Sequence, residues 1–141
     1  MTFPMINGLR KIEFGNPGES RSKLITFILD GNKRATAGLL WEYEKDDEPL
    51  ETVGEKLAIV DNDGRHVATI QVTGVEVTAF SQVPDEFALA EAEGDLDGDD
   101  FRQSHFTIWS KRGLDIVDDT KIVLVYFAVI ADLRSLTDFG W

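Results

Sequence analysis

The residues best equipped for chemistry stand in the run Gly31-Asn32-Lys33-Arg34-Ala35-Thr36. It places an amine, a guanidinium and a hydroxyl where a helical pattern ends and a strand pattern begins. Such a junction holds side chains rigidly at a rim, so Lys33 and Thr36 can reach one ligand together, with Arg34 beside them. A second reading is electrostatic. Cations gather at the negative end of a helix, and Thr36 is then an ordinary strand former. Spacing alone favours this second reading.

Two further groups carry candidates. In Glu91-Ala92-Glu93-Gly94-Asp95, carboxylates two positions apart can point into one cleft or form a solvated acidic face, the usual fate of such runs. Asp95, Asp97 and Asp99 copy the first spacings of a calcium loop. Counting from Asp95 puts Asp100 sixth, where the loop needs glycine, and Phe106 twelfth, where it needs glutamate. Counting from Glu93 puts Gly98 sixth but Ser104 twelfth. No calcium loop is expected, and no metal. In Phe101-Arg102-Gln103-Ser104-His105, Phe101 and His105 share a helix face and Arg102 lies about 100° away from Phe101. The plain reading there is a packing helix with a half-buried His105. With only His66 and His105, a three-histidine zinc site is excluded. The absence of cysteine excludes thiolate nucleophiles and disulfides. No G-x-S-x-G elbow, Walker loop or G-x-G-x-x-G turn is present, so no cofactor is expected.

These groups depend on the elements around them. Residues 1–18 read as irregular, with turn formers at Gly15 to Gly18. Ser20 reads as the cap of a helix over 20–30, with Leu24, Ile25, Phe27, Ile28 and Leu29 at helical spacing and Gly31 as a left-handed stop. Ala35 to Tyr43 reads as a strand carrying Trp41 and Tyr43 on one face, and Glu42 to Glu55 as a polar loop. Lys56 to Val60 is a short strand, Asp61-Asn62-Asp63-Gly64 a hairpin turn, and Arg65 to Phe80 an alternating strand bent near Gly74. Pro84 opens a short helix, and a longer one spans Asp99 to Ser110. Lys121 to Leu133, apolar and β-branched, reads as the central strand. About five strands and three helices that do not alternate argue against a doubly wound sheet. They favour an α+β domain built on a small, mostly antiparallel barrel.

At 141 residues the chain reads as one domain, with a short tail over 134–141 bearing Phe139 and Trp141. Its longest apolar stretch, Ile122 to Ala131, is far short of the ~20 residues a membrane helix needs. No leader pattern opens the sequence. A cytoplasmic protein without a membrane partner is the expectation. The formal net charge is −12, and it is uneven: +3 over residues 1–40, −15 over 41–100 and zero over 101–141. Coating a long nucleic acid requires a basic stripe. This chain offers only a basic spot near Arg10, Lys11, Arg21, Lys23, Lys33 and Arg34. A small ligand or a short stretch of nucleic acid remains open.

Taken in order, these segments resemble the ASCH domain family, whose fold is similar to the PUA barrel. The matching pieces are Phe14-Gly15, GNKRATAGLLWEYE from Gly31 to Glu44 against the family's G-x-K-x-A-T-x-x-L, Pro49, Gly54 and VDNDG from Val60 to Gly64. They continue through the Thr73 to Val77 strand, FALAEAEGD from Phe87 to Asp95, FRQSH from Phe101 to His105 and the closing strand, covering about residues 13–131. The resemblance implies binding of RNA or nucleosides. Some bacterial members hydrolyse N4-acylated cytidines through a Lys, Thr and Glu set, and others cleave RNA. That set falls on Lys33, Thr36 and Glu93, with Glu91 as the adjacent acid. Arg34, Trp41, Glu91, Arg102 and His105 would then contact the substrate. A desolvated lysine can act as the base for a threonine hydroxyl, and Trp41 or Phe101 can stack on a nucleobase, although core packing suits both. Departures from the pattern are Ala92 where glycine is common, Phe101 where tryptophan is common, and Asp97 where serine is often found. A binding module without turnover, or a ribonuclease, are the alternatives.

Overall fold

The computed structural model describes residues 5–134. Its strands are β1 (Met5–Ile6), β2 (Leu9–Ile12), β3 (Ala35–Leu39), β4 (Lys56–Val60), β5 (His66–Ala79) and β6 (Lys121–Asp132). The helices are α1 (Glu19–Leu29), α2 (Leu40–Lys45), α3 (Asp85–Glu91) and α4 (Gly98–Lys111), with a 3-10 turn at Phe80–Gln82. The strands form one sheet in the order β1-β2-β4-β5-β6-β3. Every pairing is antiparallel except that of β2 with β4. The α+β class and the mostly antiparallel sheet match the expectation. The barrel does not: β1 and β3 end the sheet, and no pairing joins them among the described residues.

β6 shows why the apolar run there is continuous. Ile122 and Leu124 face a core with α3, α4 and the 3-10 turn, through Phe80, Phe87, Phe101 and Trp109. Val123, Val125 and Phe127 face the other core, with α1 and β4. A strand covered on both faces loses the alternation of a half-exposed one. β6 is not the centre of the sheet, however. It lies between β5 and the edge strand β3. β5 bends as expected, its pairing with β6 shifting between Val72 and Gly74.

Three expectations change. The N-terminal stretch is not irregular, since Leu9–Ile12 adds a parallel strand beside β4. Two adjacent cations hid it. Arg10 is buried there because Glu55 holds it at 2.8 Å and the Pro49 carbonyl accepts from it at 2.8 Å. The strand expected over Ala35 to Tyr43 stops at Leu39, and the chain turns into α2. Tyr43 thereby folds back on Gly38, its ring occupying the space beside that glycine, and donates to Glu51 at 2.8 Å. Finally, Gly18 rather than Ser20 precedes the first turn of α1, with no side-chain cap. The tail beyond residue 134 lies outside the described residues. Among those described, no helix is long and apolar enough to cross a membrane.

Candidate functional site

α1 ends at Leu29, and Gly31 follows with φ +82°, a left-handed turn suited to glycine. The N–H groups of Asn32 and Lys33 both donate to the Phe27 carbonyl at 3.0 Å. The turn carries the chain onto α3, where the Arg34 N–H donates to the Ala90 carbonyl at 2.6 Å. Lys33 is consequently driven inside, 1% exposed. Its Nζ donates to the carbonyls of Ala35 at 2.8 Å and Glu91 at 3.2 Å, and to Glu93 Oε2 at 2.6 Å. The Phe14 ring lies 5.9 Å from it. Three N–H bonds meet three oxygens, the complement an ammonium supplies. A buried charge persists only when paired and bonded in this way. The cation therefore serves the carbonyl end of α3, not that of α1 as the electrostatic reading of the sequence held.

Past α3, Ala92 takes the left-handed conformation, φ 55°, and the two acids on either side of it part company. Glu93 meets Lys33 and keeps 34% of its side chain exposed. Glu91 turns its carboxyl inward. It is 2% exposed, its Oε1 has no hydrogen-bond partner, and that oxygen faces His105 Nε2 at 3.4 Å. Burial raises the Glu91 carboxyl to about 8, and the neighbouring Glu93 charge adds to the rise. His105 stacks on Phe101, ring centroids 3.9 Å apart, and its Nδ1 donates to the Phe101 carbonyl at 3.1 Å. Burial lowers its pKa. Asp95 accepts from Ser104 Oγ at 3.0 Å and stands 3.9 Å from His105 Nδ1. Ligand atoms of Glu91, Asp95 and His105 lie within 4.8 Å of one another, so among the described residues these three could hold a metal ion.

Two open hollows adjoin this centre and share Phe27 and Ala92. One, about 540 Å³, is lined by Lys23 and Glu93 among others. The second, about 580 Å³, is lined by Asn32, Arg34 and Leu89. Glu93 is thus a carboxylate anchored from behind by Lys33 and open to a hollow in front.

The sequence candidates separate accordingly. Lys33 and Glu93 meet, and Arg34 lines the adjoining hollow. Thr36 is half-buried on β3 opposite Val125, and no side chain or backbone group bonds its hydroxyl among the described residues. Trp41 is 53% exposed on α2, with Lys45 over its ring, and lines neither hollow. The run from Ala35 to Leu39 carries it about 13 Å away. Arg102 serves α4, donating to the Val83 carbonyl and to Asp99. His105 is inside, against Glu91 rather than at a hollow. Phe101 is fully buried and packs the core. The basic spot also dissolves. Arg10 and Arg21 are buried in ion pairs with Glu55 and Glu13, so of the six cations only Lys23 and Arg34 line the hollows. Sequence reasoning placed Lys23 in the basic spot but missed Phe27 and Ala92 as lining. The i,i+4 spacing of Lys23 and Phe27 on α1, with Nζ 5.7 Å from the ring, was the available signal.

The chain matches the ASCH domain over residues 10–131. The fold is similar to the crystal structure of an ASCH domain from Lactobacillus crispatus JV V101. That likeness has 27% identity and a TM-score of 0.73, covering 84% of this chain and 77% of that one. It is also similar to the crystal structure of a protein from Enterococcus faecalis V583, with 26% identity and a TM-score of 0.80, covering 97% of this chain and 84% of that one. The comparison with curated proteins gives no match. A domain match spanning most of the sequence, joined to the same arrangement of sheet and helices, means that this chain belongs to the ASCH domain family.

Proposed function

We propose that the hollow in front of Glu93 receives a cytidine-type nucleoside, and that N4-acylated cytidine is hydrolysed there. One observation carries the reading: a partly exposed carboxylate held at 2.6 Å by a fully buried lysine. A fixed carboxylate is the natural acceptor for the N4–H of cytosine. The apolar rims at Phe27 and Ala92 accept the flat base. In the reaction, Glu93 takes a proton from the attacking water, the water oxygen bonds to the acyl carbon, and the C–N bond breaks. The proton passes to the departing N4 amine, giving the acid and cytidine. Positioned proton transfer of this kind contributes about 10²–10⁴-fold. Lys33 positions Glu93. Thr36 stays a candidate for contacting the acyl group.

The test incubates purified protein with N4-acetylcytidine. Release of acetate by the wild type, reduced at least about 100-fold by Glu93→Gln, supports the reading. No release at any protein concentration overturns it. A second reading is binding of a nucleoside or short RNA end without turnover. The three N–H bonds of Lys33 are all engaged, and among the described residues Thr36 has no activating partner, which favours it. Cytidine binding by calorimetry, lost in Glu93→Gln with no acetate released by either protein, would select this second reading.

A further inference from the structure

Behind the Lys33–Glu93 pair, one polar atom has no explanation in the fold. Glu91 Oε1 is buried, lacks a hydrogen-bond partner, and is aimed at a nitrogen lone pair. The lone pair is identified by the other side of the ring. His105 Nδ1 stands against the Phe101 carbonyl at 3.1 Å and the Ser104 hydroxyl at 3.2 Å; with the ring N–H on that side, Nε2 is the bare acceptor. Two ligand-capable atoms, one of them a buried oxygen without a hydrogen-bond partner, face each other at 3.4 Å, a spacing that one cation can bridge.

We propose that Glu91 Oε1, His105 Nε2 and a carboxylate oxygen of Asp95 bind one divalent first-row transition-metal ion, with Zn²⁺ and Mn²⁺ the best matches. Geometry and chemistry agree with this. Metal–ligand bonds of roughly 2.1 Å at a tetrahedral centre set neighbouring ligand atoms about 3.4 Å apart, and Glu91 Oε1 stands 3.4 Å from His105 Nε2. One ligand atom from each of the three residues lies within 4.8 Å of the others, and Asp95, whose Oδ2 stands 3.9 Å from His105 Nδ1, must turn toward the Nε2 side to close on the ion. One imidazole with two carboxylates suits zinc or manganese, and a site without sulfur is poor for soft ions. The outer contacts have the form metal sites use: the ring N–H of the histidine is held by a carbonyl, and the aspartate is oriented by the Ser104 hydroxyl at 3.0 Å. Charge agrees as well. An ion that displaces the Glu91 proton on binding would meet the carboxylates of Glu91, Glu93 and Asp95 against the one positive charge of Lys33, a deficit that a dication fills. The calcium-loop test on the sequence fails to find this set because it spans the end of α3, the loop after it and the middle of α4. The inference is independent of the nucleoside reading, since it concerns binding behind the hollow rather than turnover within it.

The experiment titrates chelator-stripped protein with ZnCl₂ and, separately, MnCl₂ by calorimetry in moderate salt. Co²⁺ absorption serves as a second probe. The expected result is one ion per chain, with Kd weakened about tenfold or more in both Glu91→Gln and His105→Gln, and unchanged in Asp63→Asn on the distant hairpin turn. Co²⁺ should give intense ligand-field bands in the wild type and lose them in Asp95→Asn, which keeps the buried pair intact should the other variants fold poorly. Equal binding by all variants, or a Co²⁺ spectrum like that of the hydrated ion in the wild type, would overturn the proposal.

Discussion

At the scale of single residues, the centre is organised by where protons and charges are compelled to sit. Lys33 is the clearest case, because its buried amine is the donor for two carbonyls and one carboxylate. Lys33→Met keeps the volume and deletes all three bonds. Unmet buried acceptors cost about 1–3 kcal/mol each, and half-exposed Glu93 recovers some hydration. We expect a net loss of about 3 kcal/mol, read from the urea midpoint at constant slope. Glu91 makes a pH prediction. Unfolded, its carboxyl releases a proton near ~4.3, whereas folded it holds the proton to about 8. The folded state thus binds more protons between those values, so the stability from this group is full at low pH and is lost as pH rises through 8. His105 acts in the opposite sense. Its lowered pKa means stability that is present above about 6.5 and lost as pH falls. Between pH 6.5 and 8 only the Glu91 decline operates. With a chelator present, wild-type stability should fall across that window by up to about 1.4 kcal/mol per pH unit, and Glu91→Gln should be flat there. A wild type that is flat as well refutes the assignment.

At the scale of elements, the turn after α3 determines which acid faces which partner. Ala92 holds φ 55° without the freedom of glycine, a conformation costing an L-residue roughly 1–2 kcal/mol. The strain persists because the turn sends Glu91 inward and Glu93 to Lys33. Ala92→Gly should relieve it. After the entropy glycine loses on folding, about 0.5–1 kcal/mol remains, or a rise of roughly 2–3 °C in Tm at this chain length. A fall in Tm would show that the turn carries no strain. The same element accounts for a sequence departure, since the ASCH pattern commonly has glycine where this chain has Ala92. A contrasting element is β3, which ends at Leu39 because Tyr43 packs over Gly38. That contact moves Trp41 away from the hollows.

At the scale of the whole molecule, the net charge of −12 and the burial of Arg10, Arg21 and Lys33 argue for a small ligand over a long polyanion. Only Lys23 and Arg34 of the basic spot line the hollows. Binding of cytidine should then change little between 50 and 200 mM salt. Binding of a long RNA should be weak and have a shallow log–log salt slope, about −1 to −2 for two phosphate contacts. A steep slope would identify a basic surface formed some other way. Much of the architecture was legible in local patterns. β4, the hairpin turn at 61–64, the bend of β5 at Gly74, the start of α3 and the extent of α4 follow from alternation, turn residues and helix spacing, which are properties of neighbouring residues. So does the chemical character of Lys33 and Glu93. What tertiary structure alone decided depends on residues far apart in the chain. Arg10 can be buried in β2 because Glu55 and the Pro49 carbonyl reach it across 45 and 39 positions. Lys33 meets Glu93 across 60 positions, and Glu91 turns to His105 rather than to the hollow. Propensity acts within a few residues, whereas ion pairing and burial act through space once the chain has closed.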